Sequence, residues 1–192
     1  MTDAVQAVLR SVLAGAVGEV LAAAVGRDAE LSEVTAIVGM PGATAQALHA
    51  DACWSAGSPR TVTTFLALHD ILDETMGPTY FSPGTHVPRC FPAGVWLPPP
   101  DAYTRPNPTA TEKLASSPPI WYELGAGDAT PMESTTWHLG GANTSDRRRH
   151  LLTFTFVAPK SGKSPPGPTG KPRREPKQRL ASFLADNTTS PM

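Results

Sequence analysis

Thr61-Val62-Thr63-Thr64-Phe65-Leu66-Ala67-Leu68 is the clearest strand-forming segment of the chain, because β-branched and aromatic residues favour extended backbone. Similar segments lie on both sides of it, and glycine- or proline-containing turns separate them. They cover residues 34–38, 78–81, 120–124 and 150–157. Many short strands divided by turns predict a β-sandwich or barrel rather than alternating strands and helices.

The composition is that of one domain-sized chain. Hydrophobic residues make up 40% of the 192 residues, enough for a core, and the 21 prolines and 16 glycines suit a fold with many turns. The net charge of -1 gives no overall reason to expect a specific nucleic-acid partner. The two cysteines, Cys53 and Cys90, form neither a disulfide framework nor a Cys-x-x-Cys metal motif.

The N-terminal thirty residues predict a helix that precedes the strands. Apolar residues recur at helical spacing from residue 3 to residue 25, and alanine favours helix, so we expect one amphipathic helix packed on a sheet. Arg10, Glu19 and Arg27 interrupt the apolar residues, so none of the apolar runs reaches the ~20 residues of a membrane span. There is no early basic cluster of a secretory signal. We expect a cytoplasmic protein, with an organellar transit peptide left open.

Two segments have irregular composition. Residues 88–119 contain nine prolines, and so long a loop is either a lid over a pocket or an exposed insertion. Residues 159–179 are rich in Pro, Gly, Lys and Arg and lack apolar side chains. This predicts disorder in the tail, with at most a short turn at 180–184. The predicted organisation is therefore a helix over 1–30, a β-domain over 31–157 that includes the proline-rich loop, and a disordered basic tail over 158–192.

Two short motifs predict a metal centre. His49-Ala50-Asp51 places an imidazole and a carboxylate two residues apart, and such residues of an extended segment point to the same side. Trp137-His138-Leu139-Gly140-Gly141 supplies a second imidazole. Two histidines and one carboxylate form the facial triad that holds a non-haem ferrous ion and leaves the opposite positions open. Alone, His-x-Asp is weak evidence, because a hydrogen-bonded surface pair gives the same pattern.

The residues around these motifs resemble the phytanoyl-CoA dioxygenase family. The similarity begins with Pro41-Gly42-Ala43-Thr44-Ala45-Gln46-Ala47-Leu48-His49-Ala50-Asp51 and continues through residues 62–70, 74–79 and 82–86. It ends with Gly125-Ala126-Gly127-Asp128 and with residues 137–149, which close on Arg147-Arg148-Arg149. The similarity covers about residues 31 to 157 in consistent order. Two departures are a short region before His49 and Pro131, which predicts an edge strand or a bulge before His138.

The resemblance implies a mainly-β fold, the double-stranded β-helix, which is a jelly-roll or cupin-like barrel. It also implies that the 31–157 domain binds Fe(II) through His49, Asp51 and His138. The cosubstrates implied are 2-oxoglutarate and O2. In a barrel, strands distant in sequence lie side by side, so ligands almost ninety residues apart can meet.

The arginine run fits the cosubstrate that the resemblance implies. In the family, a basic residue after the distal histidine holds the far carboxylate of 2-oxoglutarate, and a guanidinium offers a planar two-donor fork for it. Arg149 stands at the usual family offset. Arg147 is the second choice, by alternation along the strand, and Phe65 stands where relatives often place an aromatic residue beside the cosubstrate.

The leading hypothesis is an Fe(II)- and 2-oxoglutarate-dependent dioxygenase that hydroxylates a small organic substrate and releases succinate and CO2. The carboxylate of Asp51 favours hydroxylation over the related halogenation, which needs that site for a halide. The alternative is a shortened, catalytically inactive β-barrel relative that binds a ligand or partner. A third, weaker hypothesis is nucleic-acid binding by the basic tail. The pattern identifies neither the substrate nor the oligomeric state.

Overall fold

The computed structural model describes residues 1–91, 94–100, 107–159 and 178–184. Its helices are α1 (Asp3–Leu13), α2 (Ala16–Val25) and α3 (Pro108–Ser116), with short 3-10 helices at Glu74–Met76, Pro88–Cys90 and Leu180–Ser182. Its strands are β1 (Glu30–Gly39), β2 (Thr61–Ala67), β3 (Thr79–Phe81), β4 (Ala129–Glu133), β5 (His138–Gly140) and β6 (Arg149–Val157). The strands predicted at 34–38, 61–68, 78–81 and 150–157 are therefore confirmed. The one predicted at 120–124 is wrong, because only the single bridges of Ile120 and Leu124 form there.

The larger sheet has four antiparallel strands in the order β1-β6-β2-β4. The last strand of the chain, β6, lies inside the sheet, where it pairs with β1 from Gly39↔Arg149 to Glu30↔Val157 and with β2 on its other side. Strand β4 is an edge strand and contains Pro131, which confirms the edge position predicted for this proline. This register brings residues of β1, β2 and β6 into rows across one face.

The outer face of this sheet is covered by the two N-terminal helices. Leu9 and Leu21 of the helices pack with Val62, Phe154 and Phe156 in one buried cluster. These side chains alternate along β2 and β6, so one face of each strand is apolar and buried. The predicted position of the N-terminal helical region on a sheet is confirmed.

The prediction of a single helix from residue 3 to residue 25 is wrong. The chain forms two helices whose axes differ by 82°. Gly15 between them has an extended backbone, with φ -106 and ψ -158. In α2, a Cβ on Gly18 would lie 1.9 Å from the carbonyl oxygen of Leu13. The bend therefore depends on the close approach that a glycine allows. Among the described residues, no single helix meets the length and hydropathy of a membrane span, although α1 and α2 taken together as a bent pair do.

A smaller sheet of β3 and β5 lies over the inner face of the larger one. Bridges from His49 to His138 and from Phe81 to Ile120 extend this smaller sheet on both sides. The Phe65 ring of β2 lies 5.7 Å from that of Phe81 and 5.8 Å from that of His138, so the two sheets face each other. The fold is mainly sheet, with few helices, and the described strands do not close into a barrel.

Part of the proline-rich segment is packed rather than exposed. Trp96 and Phe91 are buried with Trp137, the residue before the distal histidine, and with Ala110 of α3. The indole of Trp96 donates a hydrogen bond to the carbonyl oxygen of Thr85 at 2.9 Å. Asn107 caps α3, a helix that the sequence did not predict. Residues 92–93 and 101–106 of this segment lie outside the described residues.

The tail is ordered where the structure describes it. Leu180 and Phe183 are buried against the helix-side core, and the turn predicted at 180–184 is confirmed by the 3-10 helix there. The backbone amide of Leu31 donates to the carbonyl of Gln178 and that of Leu180 to Ala29, each at 2.8 Å. The prediction of disorder is therefore wrong for residues 178 and 179, because the carbonyl of Gln178 accepts a hydrogen bond from Leu31 and Arg179 forms a bridge with Glu30. Residues 160–177 and 185–192 lie outside the described residues.

Candidate metal centre

Three side chains with metal-ligating atoms meet between the two sheets. The nearest ligand atoms of His49, Asp51 and His138 all lie within 4.8 Å of one another. The Oδ1 atom of Asp51 is 3.8 Å from Nε2 of His49 and 3.4 Å from Nε2 of His138. Atoms that each lie ~2.1 Å from one ion are at most about 4.2 Å apart, so both distances suit a shared ion. These are the residues that the sequence predicted as ligands.

Backbone pairing places the two imidazoles side by side. The amide of His49 donates to the carbonyl of His138 at 2.9 Å, and the amide of His138 donates back at 2.8 Å. Their ring centroids are 4.3 Å apart. His138 belongs to β5 and is buried, whereas His49 forms a single bridge and is followed by a bend at Asp51. The bend turns the carboxylate toward the two rings, so the pair does not depend on a regular strand at 49–51.

Backbone carbonyls fix the orientation of both rings. Nδ1 of His49 is 2.9 Å from the carbonyl oxygen of Ala47, and Nδ1 of His138 is 3.0 Å from that of Thr136. Because a carbonyl only accepts, each Nδ1 must carry the proton, which leaves the lone pair on Nε2. Such a hydrogen bond from the distal ring nitrogen is the usual support of a metal-bound histidine. Both Nε2 atoms are therefore available to a metal ion.

The Asp51 carboxyl is held in its ionised form. Burial raises the pKa of this carboxyl, but the contact with the His138 ring, and after it the nearby His49 ring and Thr63 hydroxyl, lower it. The net result is a pKa below the ordinary value for this side chain. An ionised carboxylate is the form that binds a metal ion. The donor set therefore fits Fe(II), for which two imidazoles and one carboxylate are the common protein ligands.

Arg149 is a buried cation on the wall of a cavity that the three candidate metal ligands also line. Only 6% of the residue is exposed, and its Nε and Nη1 atoms have no hydrogen-bond partner among the described residues. Burial lowers the pKa of its guanidinium, because the charged form loses solvation. A buried charge without a partner is strongly unfavourable. The atoms left free are therefore the ones that an anion in the cavity would satisfy.

The other two predicted cosubstrate residues have different positions. Phe65 is buried, lines the cavity and contacts the ring of His138. Arg147 is exposed and is not among the residues that line the cavity. Strand β6 begins only at Arg149, and Arg147 lies in a bend before it, so the alternation that made Arg147 the second choice does not apply.

The cavity has a volume of about 340 Å³ and also contains Gln46, a residue that the sequence analysis did not single out. Its Oε1 accepts a hydrogen bond from the amide of Gly140 at 2.8 Å. A Cβ at Gly140 would meet both Gln46 and Arg149, so the two side chains border the same space. The sequence signal for Gln46 was its position three residues before His49, but that spacing alone does not identify a residue of the site. Gln46 leaves its amide N–H groups as further donors beside Arg149.

The three remaining histidines are not part of this cluster. Nε2 of His69 accepts a hydrogen bond from the amide of His150 at 2.9 Å, which ties the end of β2 to β6. His86 lies 3.7 Å from a carboxylate oxygen of Glu133. Among the described residues, the group formed by His49, Asp51 and His138 is the one candidate set of metal ligands.

Several solved structures share this fold. The epimerase SnoN, solved in complex with Fe3+, alpha ketoglutarate and nogalamycin RO, is 24% identical, with a TM-score of 0.57 over 86% of this chain and 68% of that one. The carbocyclase SnoK from nogalamycin biosynthesis is 19% identical, with a TM-score of 0.54 over 77% and 57%. AviO1 from Streptomyces viridochromogenes Tue57 is 17% identical, with a TM-score of 0.56 over 78% and 60%.

These similarities are partial in length. The chain spans 30% of EvdMO1, 60% of AviO1 and 54% of the monooxygenase ThoJ. No curated protein matches it significantly. The sequence model of the phytanoyl-CoA dioxygenase family, however, matches residues 2–151, which include all three clustered side chains and Arg149. The chain therefore belongs to the phytanoyl-CoA dioxygenase family.

Proposed function

We propose that the protein is an Fe(II)- and 2-oxoglutarate-dependent dioxygenase that hydroxylates a small organic substrate. The observation that carries the proposal is the pairing of two features in one cavity. One is the cluster of His49, Asp51 and His138, and the other is the unpartnered, buried guanidinium of Arg149. A set of metal ligands alone fits many functions. Such a set with a buried anion site beside it suits a cosubstrate that carries carboxylates.

Each residue has a defined role in this proposal. Nε2 of His49, Nε2 of His138 and the carboxylate of Asp51 bind Fe(II) on one side and leave the opposite positions open. When bound, Fe(II) together with 2-oxoglutarate and O2 supplies the oxidation of a substrate C–H bond to C–OH, with succinate and CO2 as coproducts. Arg149 binds the far carboxylate of 2-oxoglutarate through its free donors, which orients the cosubstrate along the cavity.

The two sheets give the site its walls. We infer that they are the facing halves of a double-stranded β-helix, because the rings of Phe65 and Phe81 meet across the space between them. Phe65 also packs against His138, so it limits the movement of this ring and keeps water from that side of the metal centre. The substrate enters the remaining space, so we expect a small molecule rather than a polymer.

The test is a pair of measurements on the purified protein. Anaerobic Fe(II) and 2-oxoglutarate should produce the visible charge-transfer band of a chelated ferrous centre, and admission of O2 should release succinate. His49→Ala and Asp51→Ala should lose both signals. Asp146→Ala, which changes an exposed aspartate outside the cluster, is the matched control and should keep them. Succinate release that persists in His49→Ala and Asp51→Ala would refute the proposed ligands.

A different outcome would identify the alternative function. If the folded wild-type protein shows no charge-transfer band and no succinate release with any substrate tested, the oxygenase proposal fails, and the result favours the alternative of a shortened, catalytically inactive relative that binds a ligand or partner. Circular dichroism and a cooperative urea transition establish that such a negative result comes from a folded protein. Residues 160–177, which contain most of the basic tail, are outside the described residues, and no structural observation favours nucleic-acid binding.

A further inference from the structure

Residues 82–86 form a turn outside the metal and cosubstrate sites, and this turn contacts the segment that leads into the distal histidine. The amide of Ser82 donates a hydrogen bond to the carbonyl oxygen of Trp137 at 2.8 Å. The carbonyl oxygen of His86 accepts one from the hydroxyl of Thr135 at 2.7 Å. The turn therefore holds the segment before the distal histidine at two points.

Thr85 lies between these two contacts and is fully buried. Its hydroxyl donates to the carbonyl oxygen of Ser82 at 2.7 Å and accepts from the amide of Trp137 at 2.9 Å. Because a hydroxyl has a single proton, the bond to Ser82 uses it, and a lone pair faces the amide of Trp137. Backbone groups alone therefore determine the direction of both hydrogen bonds.

The amide of Trp137 belongs to the peptide unit that orients the distal histidine. A peptide unit is planar, so the carbonyl of Thr136 and the N–H of Trp137 can only turn together. That carbonyl accepts the hydrogen bond from Nδ1 of His138 at 3.0 Å. A rotation of the peptide would move the acceptor away from Nδ1, and the ring would lose its fixed direction. Thr85 is thus connected to the ring of His138 through two hydrogen bonds and one rigid unit.

The proline-rich segment in turn fixes the position of Thr85. The indole N–H of Trp96 donates to the carbonyl oxygen of Thr85 at 2.9 Å. The indole N–H of Trp137 donates back to this segment, to the carbonyl oxygen of Leu97, at 3.1 Å. Both tryptophans are buried in one cluster, so the segment and the peptide before His138 are packed together.

The same cluster also packs behind the first histidine of the metal centre. Leu48 and Ala50, on either side of His49, contact the cluster that contains Trp96 and Trp137. Successive residues of an extended segment point to opposite sides, so the imidazole faces the cavity while its neighbours face the cluster. The packing behind the cavity therefore supports both chain segments that supply imidazoles.

We propose that Thr85 is a positioning residue of the metal centre, because its hydroxyl fixes the peptide unit that orients His138. It acts through this peptide rather than through contact with a metal ion. This role belongs to the hydroxyl and not to the shape of the side chain, so valine and serine separate the two. The inference rests on the proposed function, since it concerns the metal centre of that function.

Zn(II) binding, measured by competition with a chromophoric chelator, tests the proposal without any turnover. Thr85→Val removes the hydroxyl, and we expect the Zn(II) affinity to fall about tenfold, the lower end of the effect of losing support for a metal-bound histidine. Thr85→Ser keeps the hydroxyl and should keep the wild-type affinity. The visible spectrum of the Co(II)-loaded protein should change in Thr85→Val and stay unchanged in Thr85→Ser, because only the first substitution frees the ring of His138.

Two further variants separate positioning from stability. Leu180→Ala lowers the stability of the protein through the core on the helix side of the sheet, and it should leave the Zn(II) affinity unchanged. Trp96→Phe keeps an aromatic ring in the cluster but removes the N–H that binds the carbonyl of Thr85. It should weaken Zn(II) binding about threefold, as for the loss of one neutral hydrogen bond. This milder variant gives the answer if Thr85→Val does not fold.

Wild-type Zn(II) affinity in Thr85→Val, or in Trp96→Phe where Thr85→Val does not fold, would overturn the proposal. A Thr85→Ser protein that binds Zn(II) as weakly as Thr85→Val would also overturn it, since the hydroxyl would then not be the cause. A wild-type protein that does not bind Zn(II) would instead refute the metal centre and the proposed function with it. The two failures are therefore distinguishable.

Discussion

Arg149 is permanently charged in a place where only 6% of the residue reaches solvent. Burial lowers the pKa of its guanidinium, and the Nε and Nη1 atoms have no hydrogen-bond partner among the described residues, so the folded protein alone stabilises this charge poorly. The neighbouring Gln46 offers an amide rather than a carboxylate, so it does not neutralise the cation. The site is therefore prepared for an anion at a cost to the stability of the ligand-free protein.

Replacement of Arg149 by methionine should have opposite effects on stability and binding. Met fills a similar volume without a charge, so we expect the ligand-free variant to be at least as stable as wild type in urea unfolding. Its affinity for 2-oxoglutarate should fall about 10- to 100-fold, as for the loss of hydrogen bonds to a charged group. Urea unfolding of the ligand-free proteins measures the stability. Thermal denaturation with increasing 2-oxoglutarate, in the presence of Zn(II), measures the affinity.

Arg148→Met is the matched control, because Arg148 is exposed and its neighbour in sequence. It should change neither the unfolding midpoint nor the stabilisation by 2-oxoglutarate. Equal stabilisation of Arg149→Met and wild type by the cosubstrate would show that its carboxylate binds elsewhere. Arg147→Met should behave like Arg148→Met, since Arg147 does not line the cavity.

At the scale of residues, the ligand order of the motifs together with the family resemblance pointed to His49, Asp51 and His138. The structure brings these three side chains together. The family offset ranked Arg149 above Arg147, but alternation kept Arg147 as the second choice, because alternation holds only within a strand and the start of β6 was not known. Gln46 could not be predicted, because its place beside Arg149 depends on the pairing of residues 46–49 with β5.

At the scale of elements, strands with one apolar face were predictable and the helix break was not. Periodicity identified the positions of Leu9, Leu13 and Leu21, which are buried, but 3.6-residue spacing continues across a bend when both helices pack on one core. The break between α1 and α2 depends on the close contact between the carbonyl oxygen of Leu13 and the backbone of Gly18. Helix α3 was also not predicted, because it lies in a proline-rich segment, although Asn107 and Pro108 form a typical helix start.

Gly18 should therefore be intolerant of even a methyl group. In Gly18→Ala the new Cβ would lie within 2 Å of the Leu13 carbonyl oxygen, at 1.9 Å, so the two helices would have to separate. We expect a loss of about 1–3 kcal/mol in the free energy of unfolding, the range for overpacked core positions. Urea unfolding followed by circular dichroism measures this loss.

Gly15→Ser is the matched control for the bend. It also adds a Cβ, but the nearest atom to that Cβ is 3.8 Å away and the backbone there is extended. Serine is moreover a favourable N-cap residue for α2. We expect no loss of stability, and a small gain is consistent with the cap. A Gly18→Ala protein as stable as Gly15→Ser would mean that the Leu13 carbonyl moves without cost.

In the molecule as a whole, one face of the larger sheet forms the core with the helices and the other lines the cavity. The outer face is apolar and packs on α1 and α2, while the inner face carries the cavity with its hydroxyls and Arg149. Strand alternation alone creates this division, because neighbouring residues such as Phe154 and Thr155 point to opposite sides. The mainly-β fold was predictable for this reason. The order β1-β6-β2-β4 was not, since it joins the start and end of the domain through contacts between residues over a hundred positions apart.

The packing of residues 178–184 predicts how the chain responds to shortening. Leu180 is fully buried and Phe183 is 5% exposed, and the segment adds backbone hydrogen bonds to Arg27, Ala29 and Leu31. A protein that ends at residue 177 should lose about 2–5 kcal/mol of unfolding free energy, the range for removing a large buried side chain. A protein that ends at residue 184 keeps these contacts and should match the full chain in urea unfolding. Because Leu180 and Phe183 lie on the helix side of the sheet, both proteins should retain 2-oxoglutarate binding while they are folded. Equal unfolding midpoints for the two shortened proteins would show that the segment does not contribute to the core.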